Sequence, residues 1–129
     1  MILIDSTVWI NFFADQQTAE VSKFESFVNE EEDLCVCGVI MTELLQGISD
    51  DQEFQKTKTL LAEMIYLPMS STTFIQSAEI YRTLRKMGIT IRKTIDFLIA
   101  ALCIEHEVQL LHNDRDFTFI ADHFPLRQV

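Results

Sequence analysis

The sequence predicts an α/β fold: a short central parallel β-sheet of about four to five strands flanked by α-helices. Two patterns in the 129 residues support this reading. Short, continuously apolar runs (Ile2-Leu3-Ile4, Leu34 to Cys37, Val108 to Leu111) alternate with longer stretches whose apolar residues recur at helical spacing. Runs of that kind suit parallel strands covered on both faces, with helices as the crossovers. A third feature concerns chemistry. Four acids, Asp5, Glu43, Asp96 and Asp114, fall in or beside apolar segments near the ends of successive elements.

The elements follow in order. Ile2 to Asp5 reads as the first strand, then a short helix from about Thr7 to Phe13 carries Trp9, Phe12 and Phe13 toward the core. A helix from about Thr18 to Glu30 places Val21, Phe24, Phe27 and Val28 on one face, and Glu30-Glu31-Glu32-Asp33 ends it as a solvated acidic corner. Leu34 to Cys37 is the second strand. Helices follow over Val39 to about Ile48 and about Asp50 to Met64, the latter with Phe54, Leu60 and Leu61 inward. Tyr66-Leu67 is a brief strand stopped by Pro68. The helix from about Thr72 to Lys86 is expected to turn Phe74, Ile75, Ala78, Tyr81 and Leu84 inward, with Gly88 as its cap. Thr94 to about His106 is helical and leads into the strand Val108 to Leu111. Pro125 to Val129 is a candidate edge strand.

Length and 48% apolar content fit one domain over residues 1–129 with a packed core, and exclude a disordered chain. No apolar run approaches the roughly 20 residues of a membrane span. The start, Met1 to Asp5, lacks the basic region of a signal peptide, so the expectation is a cytoplasmic protein. Cys35, Cys37 and Cys103 read as buried thiols, and His106, His112 and His123 share no zinc-ligand spacing. A net charge of −10 disfavours nucleic acid and membranes, yet five of the ten basic residues (Arg82, Arg85, Lys86, Arg92, Lys93) are grouped just before Asp96. That run is either a solvated helix end or a phosphate-contacting patch.

Burying a carboxylate costs several kcal/mol unless it is paired or holds a cation. In parallel sheets, sites form beyond the carboxyl ends of the strands. Asp5 and Asp114 lie at such ends, Glu43 one helical turn beyond the second strand, and Asp96 in the first turn of a helix. A pocket collecting all four calls for a hard divalent cation with oxygen ligands. Each acid also has a plain structural role open to it. Asp5 is either the helix cap itself, or free to face the pocket while Ser6 or Thr7 caps. Glu43 is a surface residue in that reading, Asp96 a first-turn carboxylate favoured by the helix dipole, and Asp114 or Asp116 a partner for Arg115.

Four segments together carry a family resemblance: Ile2-Leu3-Ile4-Asp5-Ser6-Thr7-Val8-Trp9-Ile10, Met41-Thr42-Glu43-Leu44-Leu45-Gln46-Gly47, Ile95-Asp96-Phe97-Leu98-Ile99-Ala100-Ala101, and Leu110-Leu111-His112-Asn113-Asp114-Arg115-Asp116-Phe117. In order and spacing, over nearly the whole chain, they resemble the motifs of PIN-domain nucleases, and specifically VapC-type toxins of toxin–antitoxin pairs. The resemblance implies a single PIN-like domain. It implies a Mg²⁺ or Mn²⁺ site at Asp5, Glu43, Asp96 and Asp114, with Asp116 an additional ligand and Ser6 or Thr7 a supporting hydroxyl. It further implies metal-dependent hydrolysis of RNA to 5′-phosphate and 3′-hydroxyl ends, a cognate VapB-type antitoxin and a homodimer. His112 departs from the family, where threonine or serine is common, and this questions the hydrogen bond that orients Asp114.

Four other readings compete with this one. A phosphorelay receiver would need adjacent acids after the first strand, an acid after the third and a lysine after the fifth. Here Ser6 follows Asp5, Leu67-Pro68-Met69 has no acid, and no lysine follows Lys93. An Asp-x-Asp phosphatase lacks its second acid at Thr7. A catalytically idle PIN-fold binding module and a DNA nuclease both stay open, because no residue visibly reads a 2′-hydroxyl.

Overall fold

The computed structural model describes residues 1–129. Its elements run β1 (Ile2–Ile4), α1 (Ser6–Phe13), α2 (Ala19–Asn29), β2 (Leu34–Val36), α3 (Gly38–Gln46), α4 (Asp51–Ala62), β3 (Ile65–Tyr66), α5 (Ser71–Lys86), α6 (Thr94–His106), β4 (Gln109–Leu111) and α7 (Arg115–Ala121). The strands form one sheet in the order β3-β2-β1-β4, and every pairing is parallel. The most apolar run becomes a central strand: all of β1 is buried, which suits a position covered on both faces. The shortest strand, β3, is exposed at both residues and forms an edge.

Caps set the helix starts. Asp5, Thr18 and Asp50 each accept a hydrogen bond from an amide in the first turn of α1, α2 and α4. Helix α1 therefore begins at Ser6, one residue before the sequence expectation. Gly88 ends α5 as expected. It adopts φ +80°, its N–H donates to the Arg85 carbonyl, and the Ile89 N–H donates to the Leu84 carbonyl.

The carboxyl-terminal stretch differs from the expected edge strand. It adds only an isolated parallel bridge, Leu110 to Gln128. The reason is local: the Leu126 N–H turns back to the Phe124 carbonyl at 2.8 Å, so pairing starts only when the Arg127 carbonyl accepts from Leu110.

The face α5 presents to the core also differs. Thr73, Ser77, Ile80 and Leu84 are buried, whereas Phe74, Ile75, Ala78 and Tyr81 are exposed. Both sets have helical spacing, so periodicity alone does not choose between them. A polar tie does: the Thr73 hydroxyl donates to Glu105 on α6 and accepts the Ser70 N–H in a capping box. Val28 and Leu60 point outward too, leaving Val21 and Phe24 as the buried residues of α2, and Leu61 with Thr57 as those of α4. Trp9 is fully buried, with its ring 4.7 Å from Phe24 in an edge-on contact, but Phe12 is half-buried and Phe13 exposed. The three cysteines are free and buried, and no helix is long and apolar enough to cross a membrane.

A Cβ at Gly88 would meet no neighbouring atom, so only the left-handed backbone opposes a side chain there. Gly88→Ala should destabilise the protein by about 1 kcal/mol without altering the fold, read as a lower urea midpoint at unchanged slope.

Candidate active site

Strand order decides which loops meet. The chain proceeds outward from β1 through β2 to β3, then returns so that β4 pairs with the other side of β1. The loops leaving β1 and β4 thus diverge at a switch point, where parallel sheets open a crevice. The Asp5 N–H donates to the Leu111 carbonyl at 2.9 Å, extending the β1–β4 ladder to the first acid. Beyond it lies a cleft of about 430 Å³ lined by Asp5, Ser6, Thr7, Glu43, Lys93, Thr94, Ile95, Asp96 and Asp114. All four acids singled out in the sequence line it.

Asp5 is both the cap of α1 and a wall of the cleft, so capping and pocket roles coincide in one residue. Its Oδ2 accepts from the Thr7 N–H at 3.2 Å and from the Thr7 hydroxyl at 2.6 Å. That hydroxyl in turn accepts the Asn113 N–H at 3.1 Å, tying the loop after β4 to the start of α1. Ser6 donates to Oε1 of Glu43 at 3.3 Å, linking α1 to α3. Carboxylate oxygens of Asp96, Asp114 and Asp116 lie within 4.8 Å of one another, although Asp116 does not line the cleft itself.

Asp114 caps α7, with Oδ1 accepting the Asp116 N–H at 2.9 Å. His112 accepts the Asp114 N–H on Nδ1 at 3.1 Å, so a ring nitrogen supplies the acceptor that a hydroxyl would otherwise provide. With Nδ1 accepting, Nε2 carries the proton and donates to Oε1 of Gln128 at 2.7 Å. Gln128 escaped the sequence reading, because its role arises only when the carboxyl-terminal stretch bridges to β4.

The basic run is divided by the structure. Lys93 lines the cleft, with Nζ 3.0 Å from Oδ2 of Asp114. Arg82, Arg85 and Lys86 instead line a separate depression with Tyr81, whose hydroxyl accepts from Nη1 of Arg85. Tyr81 also meets Phe97, the neighbour of Asp96, edge-on at 5.4 Å. Arg92 is exposed and lines neither.

Burial drives the electrostatics. The Asp96 carboxyl is pushed up to about 7 by burial and then by the charge of Asp114. Burial also raises Asp5, against hydrogen bonds from Thr7, and raises Glu43 together with the charge of Asp5. Asp114 is lowered on balance: burial pushes it up, but the Asp116 N–H and the Lys93 ammonium outweigh it. Oδ2 of Asp96 is buried without a hydrogen-bond partner. An orphaned carboxylate oxygen within an all-oxygen acidic set fits a hard divalent cation.

The family model of the PIN domain matches residues 2–122. The chain belongs to the PIN domain family. This PIN chain is 33% identical over 123 residues to a VapC ribonuclease of Mycobacterium bovis and to ribonuclease VapC11 of Mycobacterium tuberculosis, covering 94% of its own length and 92% of theirs. Solved structures share the fold. VapBC2 from Rickettsia felis bound to a promoter DNA fragment gives a TM-score of 0.77 at 18% identity, covering 100% of this chain and 98% of that one. FitAcB from Neisseria gonorrhoeae gives 0.75 at 22% identity, covering 99% and 96%.

The shifts at Asp96, Asp5 and Glu43 have one sign. The folded state holds protons that the unfolded chain releases at lower pH, so cation-free stability is lost as pH rises from about 4 through about 7. Melting temperature in chelator should therefore fall between pH 5 and pH 7.5, and Mg²⁺ or Mn²⁺ should raise it more at pH 7.5 than at pH 5. Asp96→Asn should raise the cation-free melting temperature at pH 7.5 by about 3–6 °C and remove most of the gain from the ion.

Proposed function

We propose that this PIN-domain chain is the toxin of a toxin–antitoxin pair, an endoribonuclease that uses Mg²⁺ or Mn²⁺ to hydrolyse RNA phosphodiester bonds at the carboxylate cleft. The observation that carries the reading is the convergence of Asp5, Glu43, Asp96 and Asp114 on one cleft with an orphaned Asp96 oxygen, in a chain one-third identical to VapC ribonucleases. Asp5, Glu43, Asp96 and Asp114 would hold the ion, with Asp116 as an added acid. Ser6 and Thr7 steady Glu43 and Asp5 through their hydroxyls. A bound ion there supplies charge neutralisation for the phosphate and a more acidic water.

The remaining chemistry belongs to side chains. An oxygen of Asp96 or Asp114 left free by the ion accepts the proton of the attacking water. Attack of the water oxygen on phosphorus breaks the P–O3′ bond, leaving a 5′-phosphate, and the departing 3′-oxygen takes a proton from solvent to become a 3′-hydroxyl. The depression of Arg82, Arg85 and Lys86 beside Tyr81, with Arg92 and Lys93, offers cations to the RNA backbone. A VapB-type antitoxin is the proposed partner, supported by the likeness to chains solved in VapBC assemblies. Exposed Phe74 and Ile75 on α5 are apolar area that a homodimer would cover. The chain is read as one domain working in the cytoplasm, where buried free thiols persist.

Incubating total RNA with antitoxin-free protein and Mg²⁺ or Mn²⁺ tests the reading. Discrete fragments should appear, disappear in chelator, and weaken on the order of 100-fold or more with Asp5→Asn. Equal cleavage by both proteins would sink it, as would no cleavage by a folded wild type on any RNA class. Replacing Arg85 and Lys86 together by Ala should raise KM several-fold with kcat retained. If both contact phosphates, the slope of log affinity against log salt should flatten by about 1.4.

A further inference from the structure

The molecule has two ion pairs. Lys56 with Glu53 is an exposed pair one helical turn apart, whereas Lys93 with Asp114 joins the start of α6 to the loop after β4. Lys93 is the only cationic side chain lining the cleft. It stands at the N-cap of α6, and its ammonium donates to Oδ2 of Asp114. The charge of Lys93 acts on Asp114, Asp96, Asp116 and Glu43. The Lys93 side chain is 61% exposed, while that of Asp114 is only 14% exposed. One partner is therefore held, and the other is free to leave.

Asp114 divides its oxygens between two tasks. Oδ1 is fixed by the Asp116 N–H, and Oδ2 is the oxygen the ammonium holds. A divalent cation drawn to Asp96 and Asp114 would meet that ammonium at close range, where like charges repel strongly. Lysine suits exchange better than arginine would. It makes a single contact at 3.0 Å through a compact head on a flexible stem, with no bidentate lock to break.

We infer that Lys93 is a built-in counter-ion: its ammonium neutralises Asp114 in the cation-free protein, is displaced when the cation binds, and then holds a phosphate of the RNA. The second half rests on the ribonuclease reading above. The first half does not, since it concerns only this chain and the ion. Tethered at the mouth of the cleft beside Thr94, the released ammonium stays within reach of a backbone phosphate entering it.

The deciding measurement is calorimetric titration of the full chain with Mn²⁺, without RNA, for wild type, Lys93→Met and Lys93→Arg. The mostly exposed stem makes Lys93→Met a mild change to the fold, with circular dichroism and Lys93→Arg as controls. Lys93→Met should bind Mn²⁺ about three- to tenfold more tightly than wild type, and Lys93→Arg, which keeps the charge and adds a bidentate grip, should bind no more tightly than wild type. Unchanged or weaker binding in Lys93→Met would overturn the exchange and make Lys93 a support that holds Asp114 in place. On RNA at saturating Mn²⁺, Lys93→Met should raise KM several-fold with kcat within about twofold of wild type. An unchanged KM would overturn the phosphate contact. Absence of cleavage by wild type would instead refute the ribonuclease reading, with the titration still deciding the exchange.

Discussion

Packing several carboxylates against one another at the edge of an apolar core is the constraint on which the rest of the structure turns. Each charge loses hydration, and each raises the cost of ionising its neighbours. The protein offsets this locally with Thr7 on Asp5, Ser6 on Glu43, and Lys93 with the Asp116 amide on Asp114. Asp96 receives no comparable help, and one of its oxygens stays orphaned. The offset is incomplete: Asp5 and Glu43 are still raised, and Asp96 is pushed up to about 7, so the cleft as a whole carries an unmet demand for positive charge.

The scaffold makes the imbalance durable. Asp96 projects from the first turn of α6, a helix with Phe97 and every residue from Ile99 to Cys103 buried. A helix so enclosed cannot swing its first turn toward water to relieve the carboxylate. Helix α5 packs beside it and is tied by Thr73 to Glu105, an arrangement that fixes α6 from the opposite end. The same tie rotates Phe74, Ile75 and Tyr81 outward. Positioning an acid and exposing an apolar face are therefore two results of one packing choice.

Charge is distributed unevenly over this acidic protein. The acids are densest at the corner after α2, Glu30-Glu31-Glu32-Asp33, while the basic residues Arg82, Arg85 and Lys86 of α5 form their own depression with Tyr81, which meets Phe97 of α6. On the RNA substrate proposed above, long-range repulsion and short-range attraction would act on different parts of one backbone, and salt would screen the former most effectively at distance.

Much of this was legible in the chain alone. Apolar runs and helical spacing determined the α/β class and its parallel sheet, because covered strands must be apolar and crossovers must be helical. The four acids stood out because apolar neighbours make a carboxylate costly, and they do line one cleft. Strand order was not legible, and with it the adjacency of Asp5 to Asn113 and Asp114, since a run such as Leu34-Cys35-Val36 carries no mark of its neighbours. Nor was the inward face of α5, where the more apolar stripe of Phe74, Ile75 and Tyr81 turned outward and the Thr73–Glu105 bond held the half-polar stripe inward. The division of the basic run, the dual role of Asp5 and the His112–Gln128 contact also awaited the fold. Sequence records what each residue can bury or bind. Only tertiary structure settles which partner, among several of equal chemistry, comes within 3 Å.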